Sequence, residues 1–144
     1  MTDVDRVVRL VEVSAEPLDV ARHEAAVDHP RSGGRALFCG VVREHDHARD
    51  VTDLEYEAHP GAEAVLAEVA AEIAAHPDVL AVAVSHRVGM LTVGDVALVA
   101  AVATAHRREA FEQCARLVDE AKARLPIWKR QVFTDGTDEW VNFP

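Results

Sequence analysis

The chain is poor in several residue types that usually announce a function. It has only two cysteines in 144 residues, Cys39 and Cys114. No disulfide framework can be built from so few. Cys39 lies inside the apolar run 36–42 and Cys114 on the apolar side of an expected helix, so both read as core residues. Neither has a basic residue directly beside it in sequence to make it a reactive thiolate. Aromatic residues make up 5% of the chain, and the longest uncharged apolar run, Val96 to Ala105, is ten residues. A membrane helix needs roughly 20. The opening Met-Thr-Asp-Val-Asp-Arg carries acids where a secretory signal would carry basic residues. These absences point to a cytoplasmic protein.

Positive charge is also scarce, at 15 lysines and arginines against 25 acidic side chains, a net of −10. A surface of that sign repels nucleic acid and anionic membranes. The phosphate loop GxxxxGK[ST], the GxSxG elbow, HExxH and GxGxxG are all missing. His45 and His47 are the closest histidine pair, but no further ligand stands at metal-site spacing, so no metal is expected. The chain ends Asn-Phe-Pro, not in the Gly-Gly of a carrier protein.

What is present is a basic island. Between His106 and Arg130 seven basic side chains face four acidic ones, a local net of +3 in an acidic chain. Such an island is either a solvated helix face or a site for a small anion. Lysine usage sharpens the choice. Thirteen arginines accompany only two lysines, Lys122 and Lys129, and both lie in the island. Twenty-five alanines and a single asparagine indicate a coding bias that favours arginine. Where arginine serves nearly every generic charge, a surviving lysine marks a place that needs an amine, because guanidinium does not give up its proton.

Periodicity organises the chain into strands over 6–13, 35–42, 51–57, 79–86, 96–104 and 127–134, with a short return at Trp140-Val141. Segment 35–42 reads as a buried strand and the polar stretch 43–50 as a loop. Helices are expected over 17–27, 61–75 and 107–125. The last shows one apolar stripe from Ala110, Phe111 and Cys114 to Leu125, and Pro126 stops it. Arg31-Ser32-Gly33-Gly34, Val88-Gly89 and Val93-Gly94-Asp95 are turns. No linker or repeat interrupts residues 1–144, and strands and helices alternate without a strict βαβ rhythm. The expectation is one α+β domain.

Geometry constrains how the island works. His106 and Lys122 are sixteen residues apart, roughly 24 Å along one helix, so they cannot hold one small ligand from a single chain. His106-Arg107 opens the helix, where free amide groups and the helix dipole favour phosphate. Lys122 and Lys129 straddle Pro126 and can converge on one pocket, with Arg43, at the end of the apolar strand, as a third element. Either there are two sites, or one site takes opposite helix ends from two subunits; a composite site in a homodimer is the expectation.

Five segments in order then carry a resemblance: Phe38-Cys39-Gly40-Val41-Val42-Arg43, Leu54-Glu55-Tyr56-Glu57-Ala58, His86-Arg87-Val88-Gly89, His106-Arg107-Arg108-Glu109-Ala110-Phe111 and Pro126-Ile127-Trp128-Lys129-Arg130, closed by Asp135-Gly136 and Trp140-Val141. Together they resemble the large, catalytic subunit of molybdopterin synthase, the MoaE family. The resemblance implies an α/β-hammerhead fold and a sulfurtransferase that works without a metal or other cofactor. It implies a central homodimer within a heterotetramer, each large subunit binding a small ubiquitin-like (MoaD-like) carrier. The carrier brings sulfur as a C-terminal thiocarboxylate, and two sulfurs pass to cyclic pyranopterin monophosphate to form the molybdopterin dithiolene.

By the same resemblance, Arg43, His106 and Arg107 bind substrate, with the His-Arg pair reaching the site from the neighbouring subunit. Lys122 is the catalytic amine nearest the thiocarboxylate, and Lys129 a second catalytic charge at the pterin. Arg130 and Gln131 complete the substrate-binding set. Gln131 stands where the family often has glutamate, and the chain lacks a basic residue that some members place beyond the tryptophan strand. Tyr56 and Trp128 read as core or interface anchors, and Gly89 as a turn. The alternative is a catalytically silent relative that binds the carrier tail or a phosphate ligand as a scaffold or regulatory module.

Overall fold

The structure, a computed structural model, describes residues 3–46 and 49–142. In chain order the elements are α1 (Asp3–Val7), β1 (Val8–Ser14), α2 (Val20–Ala26), β2 (Gly34–Val41), β3 (His45–Asp46), β4 (Arg49–Ala58), α3 (Ala62–Ala74), β5 (Val79–Arg87), β6 (Gly89–Thr92), β7 (Val96–Thr104), α4 (Arg107–Arg124), β8 (Ile127–Phe133) and β9 (Asp138–Asn142). They form two sheets. The first has the order β1-β5-β7-β2, with β1 parallel to β5 and the other neighbours antiparallel. In the second, β4 lies between β8 on one edge and β3 and β6 on the other, and β9 follows β8.

The central strands β5 and β7 are apolar on both faces because both faces are covered. Their alternation sorts side chains by size. Val82, Val84, Leu98, Ala100 and Val102 pack under α3 and α4 with Leu66, Ile73, Leu117 and Ala121. Ala81, Ala83, Ala101 and Ala103 form a thinner layer with Val27 on the opposite face. His23 of α2 reaches that layer fully buried. Its Nδ1 lies 2.6 Å from the Asp19 carbonyl and its Nε2 2.6 Å from Ser85 Oγ, so the ring is satisfied at both nitrogens. Asp19 also caps α2 by accepting from the Arg22 amide, which explains why the helix begins after Pro17.

Four sequence expectations need correction. The segment 43–50 is not a simple loop: His45–Asp46 pairs with Arg49–Asp50 as a short hairpin, while His47 and Ala48, with the side chain of His45, lie outside the described residues. β2 is not a buried strand. It is an edge strand, paired among the described residues with β7 alone, and Leu37, Phe38 and Val41 are exposed. Cys39 on it is half-buried and not a core residue, whereas Cys114 is buried as expected. Phe111 falls outside the helix's buried stripe and is 68% exposed. Two elements, α1 and β6, were too short to show a period. β6 is framed by Gly89 and Gly94 at φ +93° and +94°, the conformation that made both positions legible as turns.

Candidate active site

The break at Pro126 builds the site. The Leu125 amide still closes the last turn of α4 on the Ala121 carbonyl, and the backbone then extends directly into β8. Lys122 therefore stands on the final turn of α4 and Lys129 three residues into β8. Strand alternation selects what accompanies them. Lys129 and Gln131 share one face of β8, and their β4 partners are Tyr56 and Leu54. His86, near the end of β5, and the stretch from Phe38 to Arg43, at the end of β2, approach from the first sheet.

The result is a cavity of about 380 Å³ lined by Arg43, Lys122, Lys129, Gln131, His86, Tyr56 and the β2 backbone around Cys39 and Gly40. A recess of about 100 Å³ shares Tyr56, His86, Leu98, Lys122 and Lys129 with it and is floored by Ala121, Leu125 and Ile127. Three cationic side chains, from α4, β8 and the segment after β2, thus border one space, and no carboxylate lines either chamber among the described residues. Nor does the Lys122 side chain make a hydrogen bond or ion pair among the described residues. Cations gathered without carboxylates suit an anionic ligand.

The groups between the cations are held neutral. His86 is packed edge-on against Tyr56, with ring centroids 5.0 Å apart and planes at 79°. Its Nδ1–H donates to the Arg87 carbonyl at 2.7 Å. Burial, with a smaller push from the Lys122 cation, lowers its pKa to about 4 despite that hydrogen bond. Burial raises the Tyr56 phenol and the Cys39 thiol above their ordinary values. Cys114, behind the sheet, is pushed up to about 11 by burial. Neither thiol is a ready nucleophile at neutral pH.

The structure brings together Arg43, Lys122, Lys129 and Gln131, as the sequence led one to expect. Gln131 is 2% exposed and belongs to the cavity wall. Arg130 is not part of it. It projects from the opposite face of β8, bonded to Glu55 at 3.1 Å and Asp138 at 2.9 Å and lying 5.9 Å from the Trp140 ring centroid. Alternation explains the separation, since adjacent residues of a strand face opposite ways. His106 and Arg107 are exposed at the far end of α4 and line neither chamber. Trp128 is 37% exposed on the outer face of the second sheet, a surface residue and not a core anchor.

His86, Tyr56 and Cys39 are cavity residues to which sequence reasoning gave no site role. The available signal was a histidine closing an apolar strand immediately before a glycine turn. Among the described residues no group of three His, Cys, Asp or Glu side chains is placed to hold a metal ion.

Comparison with known proteins identifies the family and the fold. Residues 13–124 match the family model described as MoaE protein. The molybdopterin synthase catalytic subunit of Nostoc sp. is 35% identical over 132 residues, spanning 90% of this chain and 80% of the relative. Catalytic subunit 1 of Mycobacterium tuberculosis is 38% identical over 127 residues, 88% of this chain and 86% of the relative. A crystal structure of molybdopterin synthase from Staphylococcus aureus superposes with a TM-score of 0.83 at 29% identity, covering 93% of this chain and 97% of that one. With the matched region running from β1 to the last turn of α4, and so through Lys122, the chain belongs to the MoaE family.

Proposed function

We propose that this chain is the large, catalytic subunit of molybdopterin synthase, a sulfurtransferase acting on cyclic pyranopterin monophosphate. The single observation that carries the reading is the cavity bordered by Arg43, Lys122 and Lys129 and, among the described residues, by no carboxylate. Both reactants are anions that such a cavity attracts: a cyclic phosphate, and the thiocarboxylate ending a MoaD-like carrier. The carrier's tail enters the recess beside Lys122, and the pterin phosphate lies toward Arg43, which supplies forked hydrogen bonds. The thiocarboxylate sulfur bonds to a substrate carbon as that carbon's C–O bond breaks, the oxygen leaving as the opened phosphate ester in one transfer and as water in the other. Water then attacks the acyl carbon and its C–S bond breaks; the sulfur stays on the substrate as a thiolate and the carrier leaves as a carboxylate. Negative charge develops at the acyl oxygen and at the opening phosphate ester, where Lys122 and Lys129 stabilise it.

His106 and Arg107 act, in this reading, in the site of a second copy within a homodimer, itself the centre of a heterotetramer with two carriers. No helix among the described residues is long and apolar enough to cross a membrane, in keeping with a cytoplasmic enzyme. The test mixes the purified chain with a thiocarboxylated carrier and cyclic pyranopterin monophosphate and measures molybdopterin through the fluorescence of its oxidised derivative. The expected result is product with the native chain and a loss of about a hundredfold or more in Lys122→Ala. Absence of product despite demonstrated binding of carrier and substrate would overturn the reading in favour of a silent relative.

A further inference from the structure

Sulfur transfer consumes water at the acyl carbon, and that water has to lose a proton inside a site built for anions. The side chains bordering the two chambers narrow what can take it. Lys122 of α4, Lys129 of β8 and Arg43 after β2 are cations and offer hydrogen-bond donors only. Tyr56 of β4 and Cys39 of β2 are protonated, and burial makes both harder to ionise. The Gln131 amide is not basic, and no carboxylate lines either chamber among the described residues. Leu98, Ala121, Leu125 and Ile127 make the rest of the recess apolar. The polar side chain that remains is His86.

Its geometry leaves one atom for the task. Nδ1–H is committed to the Arg87 carbonyl at 2.7 Å, which places the lone pair on Nε2, and Nε2 makes no hydrogen bond among the described residues. Tyr56 packs edge-on against the ring, with centroids 5.0 Å apart, and steadies its plane. His86 borders the recess and the larger cavity alike, and in the proposed reaction the acyl end of the carrier meets the substrate between them. A main-chain acceptor on one ring nitrogen and an available lone pair on the other is how a histidine is oriented to take a proton from a nucleophile.

We propose that His86 is the general base of the hydrolytic step: its Nε2 accepts a proton from the water that cleaves the thioester joining carrier to substrate. The inference deepens the proposed function and rests on it. As the proton moves to Nε2, the water oxygen bonds to the acyl carbon and negative charge shifts to the acyl oxygen, beside Lys122. The acyl C–S bond then breaks with its electron pair left on sulfur. The new carboxylic acid and the imidazolium each release a proton to solvent. In the unliganded chain, burial and the Lys122 cation hold the ring's pKa down at about 4, so it is neutral and able to accept at neutral pH. Anionic reactants bound beside the ring raise its basicity at the moment it is used.

The test is a single turnover with thiocarboxylated carrier and cyclic pyranopterin monophosphate, quenched in acid. Intact mass spectrometry then reads the carrier as thiocarboxylate, as the thioester adduct bearing substrate, or as free carboxylate. In the native chain, release of the carboxylate is expected to proceed at a level rate from pH 7 to 9, because the base is already unprotonated. His86→Gln, polar but without a basic nitrogen, is expected to form the adduct at the native rate and to clear it about a hundredfold more slowly. Added imidazole is expected to restore clearance in His86→Ala, whose side chain vacates the space of the ring. Circular dichroism confirms that each variant folds. Clearance as fast as native in His86→Gln would overturn the proposal, and so would failure to form the adduct, which would place the histidine before the acyl step. Slow clearance that imidazole leaves unchanged would make the ring a packing element and overturn it equally. A native rate that rises tenfold per pH unit would overturn it without any variant, by assigning the proton to hydroxide or to a lysine amine. If the native chain forms neither adduct nor product, the proposed function itself fails; product from the native chain with prompt clearance in His86→Gln removes only the role of His86.

Discussion

At the scale of single residues, the cavity consists of a few cations kept usable by neutral neighbours, and His86 shows what that neutrality costs. Its imidazole titrates at about 4 in the folded chain, whereas the same group exposed in the unfolded chain titrates near 6.5. Below that value the unfolded state binds a proton that the folded state refuses. Stability is therefore unaffected by this group above about pH 6.5, falls as pH drops from there to about 4, and levels off beneath it. The whole effect is on the order of 3 kcal/mol. Urea denaturation at pH 7.5 and pH 4.5 measures it: His86→Gln is expected to lose distinctly less stability on acidification than the native chain. Equal losses in the two proteins would mean that the imidazole is solvated and free to charge. Residue identity alone also carried real information here. The scarcity of lysine against abundant arginine singled out Lys122 and Lys129, and the fold sets both against one cavity. Arg130, beside Lys129 in sequence, has its charge absorbed by Glu55 and Asp138 on the other face of the strand.

At the scale of elements, α4 separates the charges that the sequence groups together. Its C-terminal turn delivers Lys122 to the cavity, while His106 and Arg107 sit at its other end. That end is fixed by close backbone approach. The Gly33 amide donates to the Thr104 and Ala105 carbonyls, and a Cβ on Gly33 would stand 2.4 Å from the Ala105 oxygen; one on Gly34 would stand 3.1 Å from the Arg107 Cα. The 31–34 turn thus presses against the chain that leads into α4. Gly33→Ala forces these backbones apart and is expected to destabilise the fold by about 1–3 kcal/mol. Hydrogen exchange is expected to rise in the first turn of α4 while its last turn, with Lys122, stays protected. Uniform loosening of the helix would contradict this local account. The sequence made the helix legible because eighteen residues offer a clear period and Pro126 ends it. It did not reveal α1 or β6, at five and four residues, because neither is long enough to express a period. The hairpin of His45–Asp46 was hidden for a different reason: a polar two-residue strand is defined by its partner and not by its own pattern. Pro126 likewise foretold that Lys122 and Lys129 meet, whereas His86 and Tyr56 are brought to them by pairing between distant strands, so the histidine before the glycine turn was visible in the sequence but its place in the cavity was not.

At the scale of the whole molecule, the exposed apolar surface and the unfinished site point the same way. The run 36–42 reads as core, yet the single chain leaves Leu37 and Phe38 exposed on an edge strand and Phe111 exposed on α4. These residues border a groove of about 480 Å³. An apolar patch of this kind marks an interaction surface, and β2 is an edge strand in the same region among the described residues. In the proposed homodimer that surface is covered, and the His106-Arg107 end of one copy's α4 reaches the cavity of the other. Phe111→Glu is then expected to shift the chain to a monomer in light scattering and to lower sulfur transfer without disturbing the Lys122 pocket.

Subunit complementation provides the stricter test, because it asks where the residues act. Lys122→Ala and Arg107→Ala each disable both sites of their own symmetric dimer. Unfolding and refolding an equal mixture produces hybrids in which one site receives an intact Lys122 from one copy and an intact Arg107 from the other, and the second site receives neither. With random pairing, half the dimers are hybrids and each has one complete site, so activity is expected to return to about a quarter of the native value. If Lys122 and Arg107 instead served the same chain's site, every site in the mixture would lack one of them and no activity would return. Recovery in the mixture together with its absence in either variant alone would locate the two ends of α4 in different active sites, an arrangement that the length of the helix allows.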